Sequence, residues 1–179
     1  FTTVMFTSPA ISAGKTTSVA NTAFAAALGG KRVLVIDADF SNQDLTAMLV
    51  GSVVPSLGLA DVIQGEASLG EAVVAVDMEV SGSVDLLASG MSAVSAADLL
   101  SLPAAGGLFS GLPHHYDLVL IDAPPVLTVA YATTLIRLAE RVVVVFAHGQ
   151  ELQGAQELRR QLETIGTPVL GYVYNFAPL

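Results

Sequence analysis

A chain of 179 residues, 53% hydrophobic and only 13% charged, has the length of one ordinary domain and enough apolar content to bury a large core. Its net charge of −9, from seven Lys and Arg against sixteen Asp and Glu, argues against the basic surface of a nucleic-acid binder and against a polybasic membrane patch. The lack of cysteine excludes disulfides, thiol nucleophiles and cysteine metal sites, and no apolar run approaches the roughly 18 residues of a membrane span.

Residues 2–7 read as a buried strand and residues 15–28 as an alanine-rich helix closed by Gly29-Gly30. Between them runs Ser8-Pro9-Ala10-Ile11-Ser12-Ala13-Gly14-Lys15-Thr16-Thr17. A strand, a loop of small residues ending Gly-Lys-Thr, then a helix is the layout of a phosphate-binding P-loop. The first N–H groups of the helix have no partner within it, and its dipole adds positive charge there. Gly14, Lys15 and Thr16 match the end of G-x-x-x-x-G-K-[ST], whereas Pro9 stands at the first glycine position. Ser12, Ala13, Gly14, Lys15, Thr16 and Thr17 are the candidate nucleotide-binding residues.

Residues 32–36 form a second continuously apolar strand ending in Asp37-Ala38-Asp39. The spacing then predicts a short helix over 44–50, a loop over 53–57, a helix over 58–65, a helical turn over 69–76 and a turn over 78–82. Further strands are expected over 84–88, 117–121, 141–147 and 168–174, with helices over 95–102, 103–112, 128–138 and 152–165. Alternating strands and helices imply an α/β fold, a mostly parallel sheet flanked by helices in the three-layer P-loop NTPase architecture. The chain is read as one nucleotide-binding domain over residues 1–179. Because it begins at Phe1 rather than Met, it is expected to be processed or to be a piece of a longer, membrane-anchored protein.

Ligands of an open parallel sheet bind beyond the carboxyl ends of its strands. Asp37 and Asp39 lie there after the second strand, Asp122 after the strand over 117–121, and the P-loop after the first. Mg²⁺ prefers oxygen ligands, one or two carboxylates among them. Thr16, Asp37 and Asp122 are therefore the candidate metal-binding residues, with Asp122 placed as a Walker-B aspartate. Asp37 and Asp39, one residue apart, divide between the metal shell and an attacking oxygen. Together with Lys15 they are the candidate catalytic residues. His114, His115 and His148 show no metal-ligand spacing, no G-x-G-x-x-G exists, and no serine sits at a nucleophile elbow.

Ser-Pro at 8–9, Gly-Lys-Thr-Thr at 14–17, Val-Leu-Val-Ile-Asp-Ala-Asp at 33–39, Tyr-Asp-Leu-Val-Leu-Ile-Asp-Ala-Pro-Pro-Val-Leu at 116–127 and Val-Leu-Gly-Tyr-Val-Tyr-Asn at 169–175 resemble the bacterial tyrosine kinases. The stretches 58–62 and 87–90 extend the likeness. More distantly, the chain resembles the partition and septum-site ATPases. The kinase family comprises cytoplasmic ATPase domains of polysaccharide co-polymerases that control capsule and exopolysaccharide export. The resemblance implies ATP or ADP and Mg²⁺ as cofactors, a membrane co-polymerase segment in the same or a separate chain as partner, homo-oligomers, no nucleic acid, and a location at the inner face of the cell membrane. It implies that Lys15 holds the β- and γ-phosphates, Thr16 and Asp122 serve the metal, Asp37 is the base with Asp39 beside it, and Asn175 reads the adenine edge with its amide.

Three departures are visible. The early P-loop lysine of the partition ATPases is Ala10 here, the family's usual glycine is Ser12, and the usual arginine after the aspartate pair is Ser41. The family's tyrosine-rich tail is absent from this sequence, and Tyr116, Tyr131, Tyr172 and Tyr174 all fall in or beside regular elements. The expected activity is γ-phosphoryl transfer in the manner of a tyrosine autokinase. The alternatives are a nucleotide-gated scaffold with little turnover and a partition-type ATPase.

Overall fold

The computed structural model describes residues 2–51, 55–76, 82–150 and 152–178. Strands β1 (Thr3–Thr7), β2 (Arg32–Asp37), β3 (Val73–Val76), β4 (Ser83–Leu87), β5 (Leu118–Asp122), β6 (Arg141–Ala147) and β7 (Val169–Asn175) form one sheet. Its order is β3-β4-β2-β5-β1-β6-β7, parallel throughout except for the edge strand β3. The helices are α1 (Lys15–Leu28), α2 (Asp44–Val50), α3 (Leu59–Gln64), α4 (Leu69–Ala72), α5 (Ala96–Ser101), α6 (Pro103–Gly111), α7 (Ala132–Leu138) and α8 (Leu152–Ile165).

The pleat divides the apolar strand residues into two cores. Val4, Phe6, Val33, Val35, Leu120, Val143 and Val145 face α1, which presents Val19, Ala20, Ala23 and Ala27 at helical spacing, and Leu45 of α2 joins them. Met5, Leu34, Ile36, Val119, Ile121, Val142 and Val144 face the opposite way, onto side chains from α3 and α5 through α8. Burial on both faces explains why β1, β2 and β5 read as unbroken apolar runs. The alanines of α1 allow that helix to lie close to the sheet.

The sheet has one strand more than the sequence pattern gives. Residues 69–76 start as a helix, with Ser68 and Glu71 forming a reciprocal cap. The β-branched run from Val73 then leaves the helix and pairs antiparallel with β4. Helix α7 also begins four residues later than expected. The Pro125 carbonyl accepts the N–H groups of Thr128 and Val129 and the Thr128 hydroxyl, holding 125–129 in turns. The turn expected over 78–82 falls largely outside the described residues.

The stretches 58–62 and 87–90 pack on each other. Leu59 and Ala60 donate to the carbonyls of Ala88 and Ser89, at 2.8 and 3.0 Å, and the buried Asp61 carboxylate accepts the Gly58 N–H at 2.7 Å. A side chain at Gly58 would collide with the backbone of Ala88 and Gly90, so this contact requires glycine.

Candidate phosphate and metal site

Strands β1, β2 and β5 are adjacent in the sheet, so their carboxyl ends open onto one place. Asp37 and Asp122 are direct neighbours in the β2–β5 register, and Ala38 donates to the Asp122 carbonyl at 2.9 Å. Thr7, at the end of β1, donates its hydroxyl to the Pro124 carbonyl at 3.3 Å and joins the two strand ends. A cavity of about 720 Å³ lies above them. Every P-loop residue from Ser12 to Thr17 lines it, together with Asp39, Asn42, Asp44 and Asp122.

The loop turns into α1 through two left-handed residues, Ser12 at φ 57° and Gly14 at φ 85°. Glycine reaches that region without cost and serine does not, so the loop is held in a strained turn at Ser12. The Gly14 carbonyl accepts both the N–H and the hydroxyl of Ser18, at 3.0 and 2.8 Å. Asn175, at the end of β7, closes the loop from the other side. Its amide nitrogen lies 2.9 Å from the Ala13 carbonyl and 3.4 Å from that of Gly14. A Cβ at Gly14 would lie 2.5 Å from that nitrogen, a second reason for glycine there.

Lys15, the first residue of α1, is buried at the cavity wall. Burial pushes its ammonium below the ordinary lysine range, while Asp122, Asp39 and Asp44 oppose the shift. The Thr16 hydroxyl donates to Asp122 Oδ2 at 2.7 Å. Asp122 is itself buried, and desolvation raises its pKa to about 7 against the lowering effect of Thr16, with the Asp37 charge adding to the rise. Asp37 is fully buried. Its Oδ2 accepts the N–H and hydroxyl of Thr46, at 2.9 and 2.7 Å, and burial still lifts its pKa to about 6. Asp39 Oδ1 accepts the N–H groups of Ser41 and Asn42 in a tight Asx turn, leaving the carboxylate on the cavity surface.

Asp37 Oδ1 and Asp122 Oδ1 are buried with no hydrogen-bond partner. An unpartnered oxygen on Asp122, whose other oxygen accepts the Thr16 hydroxyl at the cavity wall, is what a hydrated Mg²⁺ would satisfy. Among the described residues no cluster of three or more His, Cys, Asp or Glu forms a metal cage. Mg²⁺ does not need one, because phosphate and water supply its remaining ligands.

All the residues singled out from the sequence converge here, but in two tiers. Ser12 through Thr17, Asp39 and Asp122 line the cavity, while Asp37 and Asn175 support its wall from behind. Several contributors were not foreseen. Thr46 holds Asp37, Asn42 and Asp44 extend the polar wall, and Met48 and Phe176 lie at the rim. Only Asp44, as a first-turn acidic residue of a short helix, carried a signal that points to this edge.

Strand–P-loop–helix topology with carboxylates at the ends of adjacent parallel strands defines a P-loop NTPase fold. The family described as an AAA domain matches residues 12–169. Two curated relatives align over nearly the whole chain. A putative tyrosine-protein kinase EpsB of Ralstonia solanacearum is 35% identical over 173 residues, 96% of this chain and 22% of its own length. Tyrosine-protein kinase YwqD of Bacillus subtilis is 34% identical over 174 residues, 96% of this chain and 71% of its own length. The solved VpsO kinase domain superposes with a TM-score of 0.89 at 26% identity, covering 99% of this chain and 85% of that one. The chain belongs to the AAA-domain family of P-loop ATPases, within its bacterial tyrosine-protein kinase branch. It spans about a fifth of the length of the EpsB relatives it matches.

Proposed function

We propose that this chain binds ATP with Mg²⁺ and transfers the γ-phosphoryl group to a tyrosine hydroxyl, as part of the machinery that controls capsule or exopolysaccharide assembly. The observation that carries the reading is the single cavity holding Lys15, Thr16, Asp39 and Asp122 against a loop of backbone N–H groups. Mg²⁺, when bound, neutralises phosphate charge; Thr16 and Asp122 are placed to hold it, with Asp37 behind them. The N–H groups of the Ser12–Thr17 loop and the Lys15 ammonium take the β- and γ-phosphate oxygens and stabilise charge as it builds there.

In the transfer the tyrosine oxygen forms a bond to the γ-phosphorus, the bond from that phosphorus to the bridging β–γ oxygen breaks, and ADP leaves. The resemblance gave the base role to Asp37. Asp37 is enclosed and lies behind the cavity wall, whereas the Asp39 carboxylate stands on its surface. We therefore assign Asp39 to orient the tyrosine hydroxyl and take its proton, and Asp37 to the metal side.

The proposed setting is the inner face of the membrane, with a co-polymerase segment as partner, in homo-oligomers and without nucleic acid. Among the described residues no helix is long and apolar enough to cross a membrane. The −9 charge further opposes a partition-type role on DNA. A scaffold without turnover is favoured by one observation: Ser41 is an exposed serine where an arginine would add positive charge near the acceptor.

Incubation with ATP and a tyrosine-rich peptide as acceptor, followed by detection of phosphotyrosine, separates the two. Phosphotyrosine formed by the native chain, and lost in Lys15→Met and Asp39→Asn, supports transfer. Bound ATP that yields no phosphotyrosine supports the scaffold. Phosphotyrosine that survives Asp39→Asn and disappears in Asp37→Asn returns the base role to Asp37.

A further inference from the structure

Phe176 is one of two non-glycine residues with a left-handed backbone among those described, at φ 59°. The other is Ser12 in the P-loop. An aromatic residue in that region is strained, and burial does not offset the strain, because the side chain is 68% exposed. Phe176 nevertheless lines the phosphate cavity, and its ring edge comes within 3.6 Å of where a Gly14 Cβ would sit. Its position is fixed by its neighbour. Asn175 holds the carbonyls of Ala13 and Gly14, so the residue that follows is held at a set distance from the phosphate loop.

Two further exposed hydrophobic side chains line the same cavity, Ile11 at 72% and Met48 at 50%. Phosphate and metal have no use for an apolar rim. A nucleoside does, because its base presents a flat π-face that an aromatic ring can cover. The Asn175 amide nitrogen lies 2.9 Å from the Ala13 carbonyl and 3.4 Å from both the Gly14 carbonyl and the Ser18 hydroxyl, so its donors are engaged by the P-loop rather than by a base. Only its Oδ1 remains to read a base edge.

We infer that Phe176 is the base-stacking residue of this site, and that the affinity it adds is common to adenine and guanine nucleotides. The inference rests on the proposed nucleotide reading and extends it: Asn175 positions, Phe176 binds. Stacking does not read the edge of a base, so it contributes equally whichever purine is bound.

The test is calorimetric titration of the native chain and of Phe176→Ala and Phe176→Tyr with ATP, GTP and inorganic tripolyphosphate, all with Mg²⁺. Tripolyphosphate carries the phosphates without a base. Phe176→Ala is expected to weaken ATP and GTP about ten-fold each and to leave tripolyphosphate unchanged, with Phe176→Tyr close to native. Because the side chain is exposed, the alanine variant is expected to fold, and a native-like melting temperature checks this. An equal loss for tripolyphosphate overturns the inference and makes Phe176 a brace for the P-loop. Unchanged ATP affinity also overturns it, and altered self-association in that variant would then assign the rim to a contact between copies. If the native chain binds tripolyphosphate as tightly as ATP, the base adds nothing and stacking fails while the phosphate site stands. If it binds neither, the nucleotide reading falls and this inference with it.

Discussion

The centre of the sheet and its β7 edge are built by opposite rules. Strands β1, β2 and β5 are buried on both faces and end in the groups that make the site. Strand β7 alternates: Val169, Gly171, Val173 and Asn175 are half-buried, and Leu170, Tyr172 and Tyr174 stand exposed. Tyr172 stacks on Phe146 at 6.0 Å, and the Tyr174 hydroxyl meets His148 Nδ1 at 2.7 Å. A cavity of about 450 Å³ opens between β6, β7 and α8. The centre carries the candidate site because the strand ends bring Asp37 and Asp122 side by side in register. The edge reaches that site at its end, where Asn175 contacts the P-loop and Phe176 lines the cavity.

The contrast is testable, beginning with its largest expected effects. Ile121→Ala removes a fully buried side chain from the central strand and should cost about 2–5 kcal/mol, read from denaturant midpoints. At the edge, Tyr172→Ala should cost about 1 kcal/mol or less. Comparable losses at the two positions would break the distinction between centre and edge. Lys15→Met should weaken Mg-ATP about 100-fold or more, the worth of a charge-assisted contact in a low-dielectric site.

The buried carboxylates give the centre a pH signature that the edge lacks. Asp37 and Asp122 titrate at about 6 and about 7 in the folded chain, above the value of about 4 expected when unfolded. The folded state therefore holds protons more tightly between those limits. In metal-free buffer their contribution to stability is fully present below about pH 4, is lost as pH rises through 6 to 7 and then levels off. Asp122→Asn removes its share, so its melting temperature should exceed the native one at pH 8 and the gap should close toward pH 5. A gap that widens toward low pH would show that burial does not dominate these two groups. The smallest effect belongs to the loop itself. Ser12→Gly relieves a left-handed serine and should stabilise by about 0.5–1 kcal/mol.

Both regions were legible in the sequence to different depths. The centre was read nearly in full, because a strand buried on both faces shows as a continuous apolar run and the functional groups follow it directly, as with Asp37 after 32–36 and Asp122 after 117–121. Partners supplied across space were not legible. Thr46 lies nine residues from the Asp37 it holds, and Asn175 lies 162 residues from the Ala13 carbonyl it binds. The resemblance placed Asn175 at the site, with its amide on the adenine edge; the structure adds a contact of its amide nitrogen with the Ala13 carbonyl. The strand at 73–76 was hidden behind a four-residue helix whose cap signal, Ser68 and Glu71, is real. The late start of α7 follows from a proline carbonyl capturing the residues that pattern alone assigns to the helix.

The central claim is that the pocket formed by Lys15, Thr16, Asp39 and Asp122 is a nucleotide phosphate site. Calorimetric titration of the native chain and of Lys15→Met with Mg-ATP tests it most directly. The account predicts saturable binding by the native chain and its loss in the variant, with the fold unchanged by circular dichroism. No binding by the native chain, or equal affinity in the two, would contradict it.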